Sequence, residues 1–219
     1  PAAAGGPQGR PPADPAQFTL QEALRTPALW LLIAAQGIAT VASSTFGFHQ
    51  SSFFTDEGLS LAVATLAVTM FGLAGALSST AWGFLSERMN ERWLAIAALV
   101  VASGTMVLLL VPQTDALALS SSFLMGFTGR GQGSLFSILL ARYYGRGSYG
   151  TISGFVTPFQ MAALGLGPLV GSAVHDVVGS YQTAFAVYIG FYWVAIVLIF
   201  LARAPRRPAA ATAGHPAAG

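Results

Sequence analysis

Six apolar runs, each close to the length that crosses a lipid bilayer, constrain this chain more than any other feature. They cover about residues 28–54, 61–84, 93–111, 116–141, 150–174 and 181–202. A bilayer core of about 30 Å takes about 20 helical residues at about 1.5 Å each. Buried helices of a water-soluble core are shorter and carry a charged face. Only 8% of the residues are charged, against about a quarter in an ordinary soluble domain, so no such face can be built. The runs predict an all-α membrane protein of six transmembrane helices, with the lipid bilayer as its first partner. Pro/Ala/Gly-rich stretches flank the body, at 1–17 and 204–219. They read as a disordered linker and a disordered tail around a membrane body at 18–203. The sequence opens on Pro1, and residues 1–17 lack the apolar segment of a signal peptide, so it reads as a fragment cut within a loop.

The charges give an orientation. All ten basic residues are arginine, a composition that, with the abundant Ala and Gly, suggests a GC-rich coding bias. Arg10 and Arg25 precede the first run, Arg88 and Arg92 follow the second, Arg142 and Arg146 the fourth, and Arg203, Arg206 and Arg207 the sixth. The connections on the other side, at 55–60, 112–115 and 175–180, carry no arginine. Loops rich in arginine stay in the cytoplasm. Both termini are therefore expected there, in a multi-pass protein of a bacterial inner membrane. No basic cluster suggests nucleic acid as a partner.

Local signals place the first helices. Thr19 and Glu22 have capping-box spacing and predict a short helix along the membrane surface. Thr26 and Pro27 then suit the N-cap and first position of the first crossing. Small residues recur at helical spacing: Gly72, Gly75, Ser79 and Gly83 in the second run; Gly126 and Gly133 in the fourth; Gly154, Gly167 and Gly171, with Pro168, in the fifth. Such faces let helix backbones approach where lipid gives no hydrophobic drive to associate. Static packing and a face on which helices rock are both compatible with the pattern.

The loop after the second run, Gly83-Phe84-Leu85-Ser86-Glu87-Arg88-Met89-Asn90-Glu91-Arg92, resembles the cytoplasmic Gly-x-Leu-x-Asp-Arg-x-Gly-Arg-Arg loop of the major facilitator superfamily. That family carries it after the second helix of each six-helix half. Glu87, Asn90 and Glu91 depart from the pattern. The stretch from Gly165 to Asp176 is similar to the family's eleventh helix. Gly126-x-x-Gly129-Arg130-Gly131-Gln132-Gly133, with Ala141–Arg146, is similar to its tenth helix and the loop that follows. The entry from Phe18 to Trp30, and the stretch from Phe48 to Gly58, most resemble the monocarboxylate and oxalate/formate porter branch. The resemblance implies the C-terminal half of a twelve-helix bundle, with residues 1–17 as its central loop. It implies secondary transport of a small-molecule substrate by alternating access, and a missing N-terminal six-helix half as partner. The branch often places a substrate-binding arginine on the helix matching the second run; this chain has only small and hydroxyl residues at 75–80.

Arg130 is the strongest candidate for chemistry. It lies about a dozen residues from either end of its run, too deep to snorkel, where a charge costs about 3 kcal/mol. No Asp or Glu lies deep in any run. Its counter-charge is then an anionic substrate, an acid of the missing half, or backbone carbonyls and water. His49 near the end of the first run suits proton coupling, or a hydrogen-bonded interfacial role. Gln36, Gln132 and Gln160 suit a polar cavity wall or helix-to-helix hydrogen bonds. Gly83, Glu87, Arg88 and Arg92 suit a charged gating latch, or charges that only set topology.

No catalytic residue, metal ligand set or cofactor is expected. The chain has no cysteine, no metal-ligand spacing and no phosphate-cradling loop, and the Gly129–Gly133 stretch follows no strand. The function expected is transport of a small organic anion with proton coupling. Efflux of a larger amphipathic compound and a non-transporting receptor on the same scaffold are the alternatives.

Overall fold

The computed structural model describes residues 18–205. The flanking stretches expected to be linker and tail lie outside the described residues, apart from Ala204 and Pro205. A short helix α1, Leu20–Leu24, leads into six long ones: α2 Pro27–Asp56, α3 Leu61–Arg88, α4 Glu91–Leu108, α5 Asp115–Tyr144, α6 Tyr149–Val178 and α7 Tyr181–Leu201.

The helices end where capping chemistry ends them, not where hydropathy does. The capping box forms at α1: the Thr19 hydroxyl accepts from the Glu22 amide while the Glu22 carboxylate accepts from the Thr19 N–H. That backbone N–H, then the Thr19 hydroxyl, hold the Glu22 carboxyl below its usual range. Thr26 is the N-cap of α2 with Pro27 following, but its hydroxyl makes no cap bond. It donates to the Ala23 carbonyl and meets the Tyr144 hydroxyl at 2.7 Å, tying α1 to the end of α5. The hydroxyls of Ser60, Thr114 and Ser180 accept at the starts of α3, α5 and α7. Gly179, in the left-handed region at φ 73°, closes α6. α4 stops early, at Leu108 instead of near 111, where the chain turns ahead of Pro112.

The six long helices pack as an open series of neighbours, α3, α5, α4, α7, α2 and α6 in turn, with α2 also touching α3 and α5. The pairs α3–α5 and α2–α6 run parallel; α2–α7, α4–α5 and α4–α7 run antiparallel, as successive crossings require. Phe46, Phe53, Phe54 and Phe185 interlock edge-on or tilted between α2 and α7. In lipid such contacts act through dispersion and fit more than through water release.

Glycine sets the two parallel seams. A Cβ at Gly126 would strike the Phe71 backbone, and one at Gly167 the backbone of Val41. Gly171 lies against Thr45 and His49, and Gly131 receives the Trp82 indole, which donates to the Phe127 carbonyl at 2.9 Å. The expected small-residue faces are only partly packed. At Gly72, Gly83, Gly133 and Gly154 a Cβ would meet nothing within 4 Å, and Ser79 is exposed. Helical spacing marks a face as small, but only a neighbour makes it a contact.

Five of the long helices (all but α5) are long and apolar enough to cross a membrane. α5 has the length, at 30 residues, but its middle carries Ser120 to Ser122, Thr128, Arg130 and Gln132. Against the six transmembrane helices expected from the sequence stand six long helices, five of which have both the length and the apolarity to cross. Leu66, Leu73, Leu77, Val100, Leu169, Trp193, Val197 and Phe200 are among the exposed apolar side chains that belt the body. A belt of this extent suits lipid and not water. The chain is a multi-pass membrane protein.

Candidate functional site

The central feature is a cavity of about 490 Å³ between α2, α3, α5 and α6. Polar groups come from Gln36, Thr40, Ser43, Ser44, Arg130 and Gln160; Phe48, Phe71, Met161 and Leu164 supply the apolar wall. Gly47, Gly129 and Gly133 line it with bare backbone. A volume of this size, mostly apolar with a few converging polar groups, is typical of small-molecule sites.

Arg130 is held by position and not by a counter-ion. Its stem lies against Gly75 of α3, where any Cβ would collide with it. Its guanidinium sits over the Phe71 ring at 5.6 Å. Among the described residues the ion pairs are Glu91–Arg142 and His175–Asp56, and neither involves Arg130. The side chain is exposed to the cavity. Five N–H donors on a fixed planar fork thus face a space with apolar and hydroxyl walls, a geometry suited to a carboxylate. The arginine rises from α5 and lies over the small residue that α3 offers at Gly75.

The other candidates separate. Gln36 and Gln160 line the cavity, with the Gln36 amide donating to Thr40 at 3.3 Å. Gln132 does not line it. It is buried among Ala95, Leu99, Leu135, Leu139 and Ile199 on the far side of α5, and neither amide atom has a partner among the described residues. His49 is also absent from the cavity. Its Nε2 meets the Pro168 carbonyl at 3.0 Å and its Nδ1 the Tyr181 hydroxyl at 3.4 Å. A carbonyl can only accept, so Nε2 is the donor to Pro168. One turn earlier, Thr45 donates to the Gly167 carbonyl at 2.6 Å. Thr45 and His49 thus bond α2 to the Gly167-Pro168 segment of α6.

The expected latch is arranged differently. Glu87 and Arg88 are exposed, and Arg88 covers the Phe84 ring of its own helix. Gly83 meets no neighbour. Arg92 donates to the Ile199 and Phe200 carbonyls and so caps the end of α7. The charged contact at this end is Glu91 with Arg142 at 2.9 Å, close but poorly aligned for a hydrogen bond, while Arg142 also donates to the Ser86 carbonyl at 3.0 Å. One arginine thereby joins α3, α4 and α5. Glu91 departs from the loop pattern in sequence, and Arg142 was legible only as a topology charge.

No curated protein matches the chain. Among solved structures, the E. coli fucose:proton symporter superposes with a TM-score of 0.70 at 14% identity, over 84% of this chain and 45% of the symporter. This chain thus spans about half the length of that structure, and the likeness is one of fold. The family model described as Major Facilitator Superfamily matches residues 32–218, most of the chain, including the helices that build the cavity. The chain belongs to the Major Facilitator Superfamily.

Proposed function

We propose that this chain is one six-helix half of an alternating-access secondary transporter that carries a small organic anion together with protons. In this reading Arg130 is the anion contact, and Gln36, Thr40, Ser43 and Gln160 position the substrate. Phe48, Phe71, Met161 and Leu164 take its apolar part. All six long helices cross a bacterial inner membrane, α5 among them, because its polar residues turn inward: Ser121, Ser122, Thr128 and Gln132 are buried and Arg130 faces the cavity. The arginine-bearing end is cytoplasmic. A second six-helix half supplies the opposite wall, and the substrate lies near the midplane between the two. The monocarboxylate and oxalate/formate branch remains the lineage that the entry sequence supports.

The observation that carries this reading is Arg130 itself, a guanidinium opening into a mid-helix cavity with no carboxylate beside it among the described residues. The test is uptake of labelled mono- and dicarboxylates into membrane vesicles containing this chain together with the second half, alongside the yield in detergent. Arg130→Lys keeps the charge but loses the two parallel hydrogen bonds a carboxylate takes from the fork. Uptake should fall at least about tenfold, the effect of losing about 1.4 kcal/mol, with yield unchanged. Arg130→Gln should abolish uptake and leave yield equal or better. If Arg130 instead pairs with an acid of the second half, Arg130→Gln strands that acid at a cost of about 3–5 kcal/mol, and yield collapses. Rescue by neutralising one such acid would overturn the substrate assignment.

A further inference from the structure

We propose that His175 is a proton-binding site at the arginine-free end of the bundle, and that the bound proton clasps the ends of α2, α6 and α7 together. The proposal gives a location to the proton coupling in the reading above, but it stands on a cluster that shares no residue with the Arg130 cavity.

His175 lies in the last turn of α6. Its Nε2 faces the Asp56 carboxylate, the last residue of α2, at 3.8 Å. That is ion-pair range but too long for a hydrogen bond. Its ring stacks on Tyr181, the first residue of α7, with centroids 4.2 Å apart and planes 27° apart. About a third of the side chain is exposed (34%), so water reaches it. Imidazole is the side chain that ordinarily changes charge between about pH 5 and 8. A proton taken from solution forms one N–H bond at the ring and adds a full positive charge. That charge gains attraction to Asp56 on α2 and to the face of Tyr181 on α7, well inside the roughly 6 Å reach of a cation–π contact. One proton therefore strengthens two interhelical contacts at once.

The surroundings favour the same outcome. From α2 the cluster meets Asp56, Glu57 just beyond it, and His49; from α6, Asp176; from α7, Tyr181. Asp115 opens α5 at the same end, and no arginine among the described residues lies there. Like charges on the carboxylates at this end repel one another, and a proton on His175 offsets that repulsion. Glu57 already receives a hydrogen bond from Gln182 of α7 at 2.9 Å, so α2 and α7 are tethered beside the site. His49 lies on the other side of Tyr181, with its Nε2 on the Pro168 carbonyl and its Nδ1 on the Tyr181 hydroxyl. It passes the Tyr181 position to α2 and to the Pro168 carbonyl, the seam that runs toward the cavity.

By linkage, a clasped state that binds the proton more tightly gains stability as pH falls. The thermal midpoint of the whole chain in detergent, measured from pH 8.0 down to 5.5, should carry a rise of about 2–4 °C from this site. The rise should vanish in Asp56→Asn and in His175→Gln, and the double variant should lose no more than either single one. An unchanged slope in Asp56→Asn overturns the proposal, and that variant alters an exposed carboxylate, so folding is not at issue. If His175→Gln does not fold, ring-carbon NMR of the labelled histidines decides. The His175 signal should move with pH across this window, and its midpoint should fall in Asp56→Asn. A His175 signal that does not move with pH, or a midpoint indifferent to Asp56, overturns the proposal. Neither measurement uses a substrate, so a failed assignment at Arg130 leaves both results as they are.

Discussion

Arg130 and Gln132 stand two residues apart and do opposite things, and the reason is helical phase. Two residues turn a helix by about 200°, so side chains at that spacing point to opposite faces. Arg130 faces the cavity and Gln132 the interior between α2, α4 and α7. That separation was legible in the sequence and was obscured by grouping the three glutamines by residue type. The depth of Arg130 was equally legible, from the length of its run. Its rest against Gly75 and Phe71 was not, because the α3–α5 register is a fact about two helices. The Gln132 amide has consequences for stability. A buried amide without a partner costs about 1–3 kcal/mol, and an apolar group of similar volume removes that cost. Gln132→Leu should therefore raise the thermal midpoint while leaving carboxylate uptake intact. A lower midpoint would show that the amide has a partner in the working protein.

Among the helices, the apolar runs locate each crossing but not its ends. Hydropathy reports where lipid lies, whereas helices continue until a cap satisfies their last free backbone groups. Hence α3 runs on from Phe84 to Arg88 and α6 from Val174 to Val178. The small-residue patterns have a similar limit, and they separate into two kinds. Gly126 abuts the Phe71 backbone, which cannot turn aside, whereas Gly154 faces open space. Gly126→Ala should force α3 and α5 apart and lower the thermal midpoint by several degrees, since overpacking typically costs about 1–3 kcal/mol. Gly154→Ala should be neutral or raise it, because alanine favours a helix by about 1 kcal/mol over glycine. Equal effects from the two would mean that the seam relaxes freely, and glycine would then not be what sets it.

For the whole molecule, the arginines are distributed by end and not by function. Arg25, Arg88, Arg92, Arg142, Arg146 and Arg203 lie at one end of the bundle, and Arg130 alone of the described arginines lies between the ends. At that end they also build: Arg92 closes α7 and Arg142 joins three helices. These contacts link α3, α4 and α5, and α4 to α7, at that end, as the proposed rocking of a half against its partner as one body requires. The same asymmetry supports the proposed orientation, since translocating this end would carry six guanidinium groups across the membrane. The chain has no cysteine, so single introduced thiols report without background. Asp115→Cys, at the start of α5, should react with an impermeant maleimide on intact cells. Glu87→Cys, exposed at the arginine-bearing end, should react only after the membrane is opened. The reverse pattern would invert the molecule. It would also place the His175 cluster in the cytoplasm, where outside acid could not reach it directly.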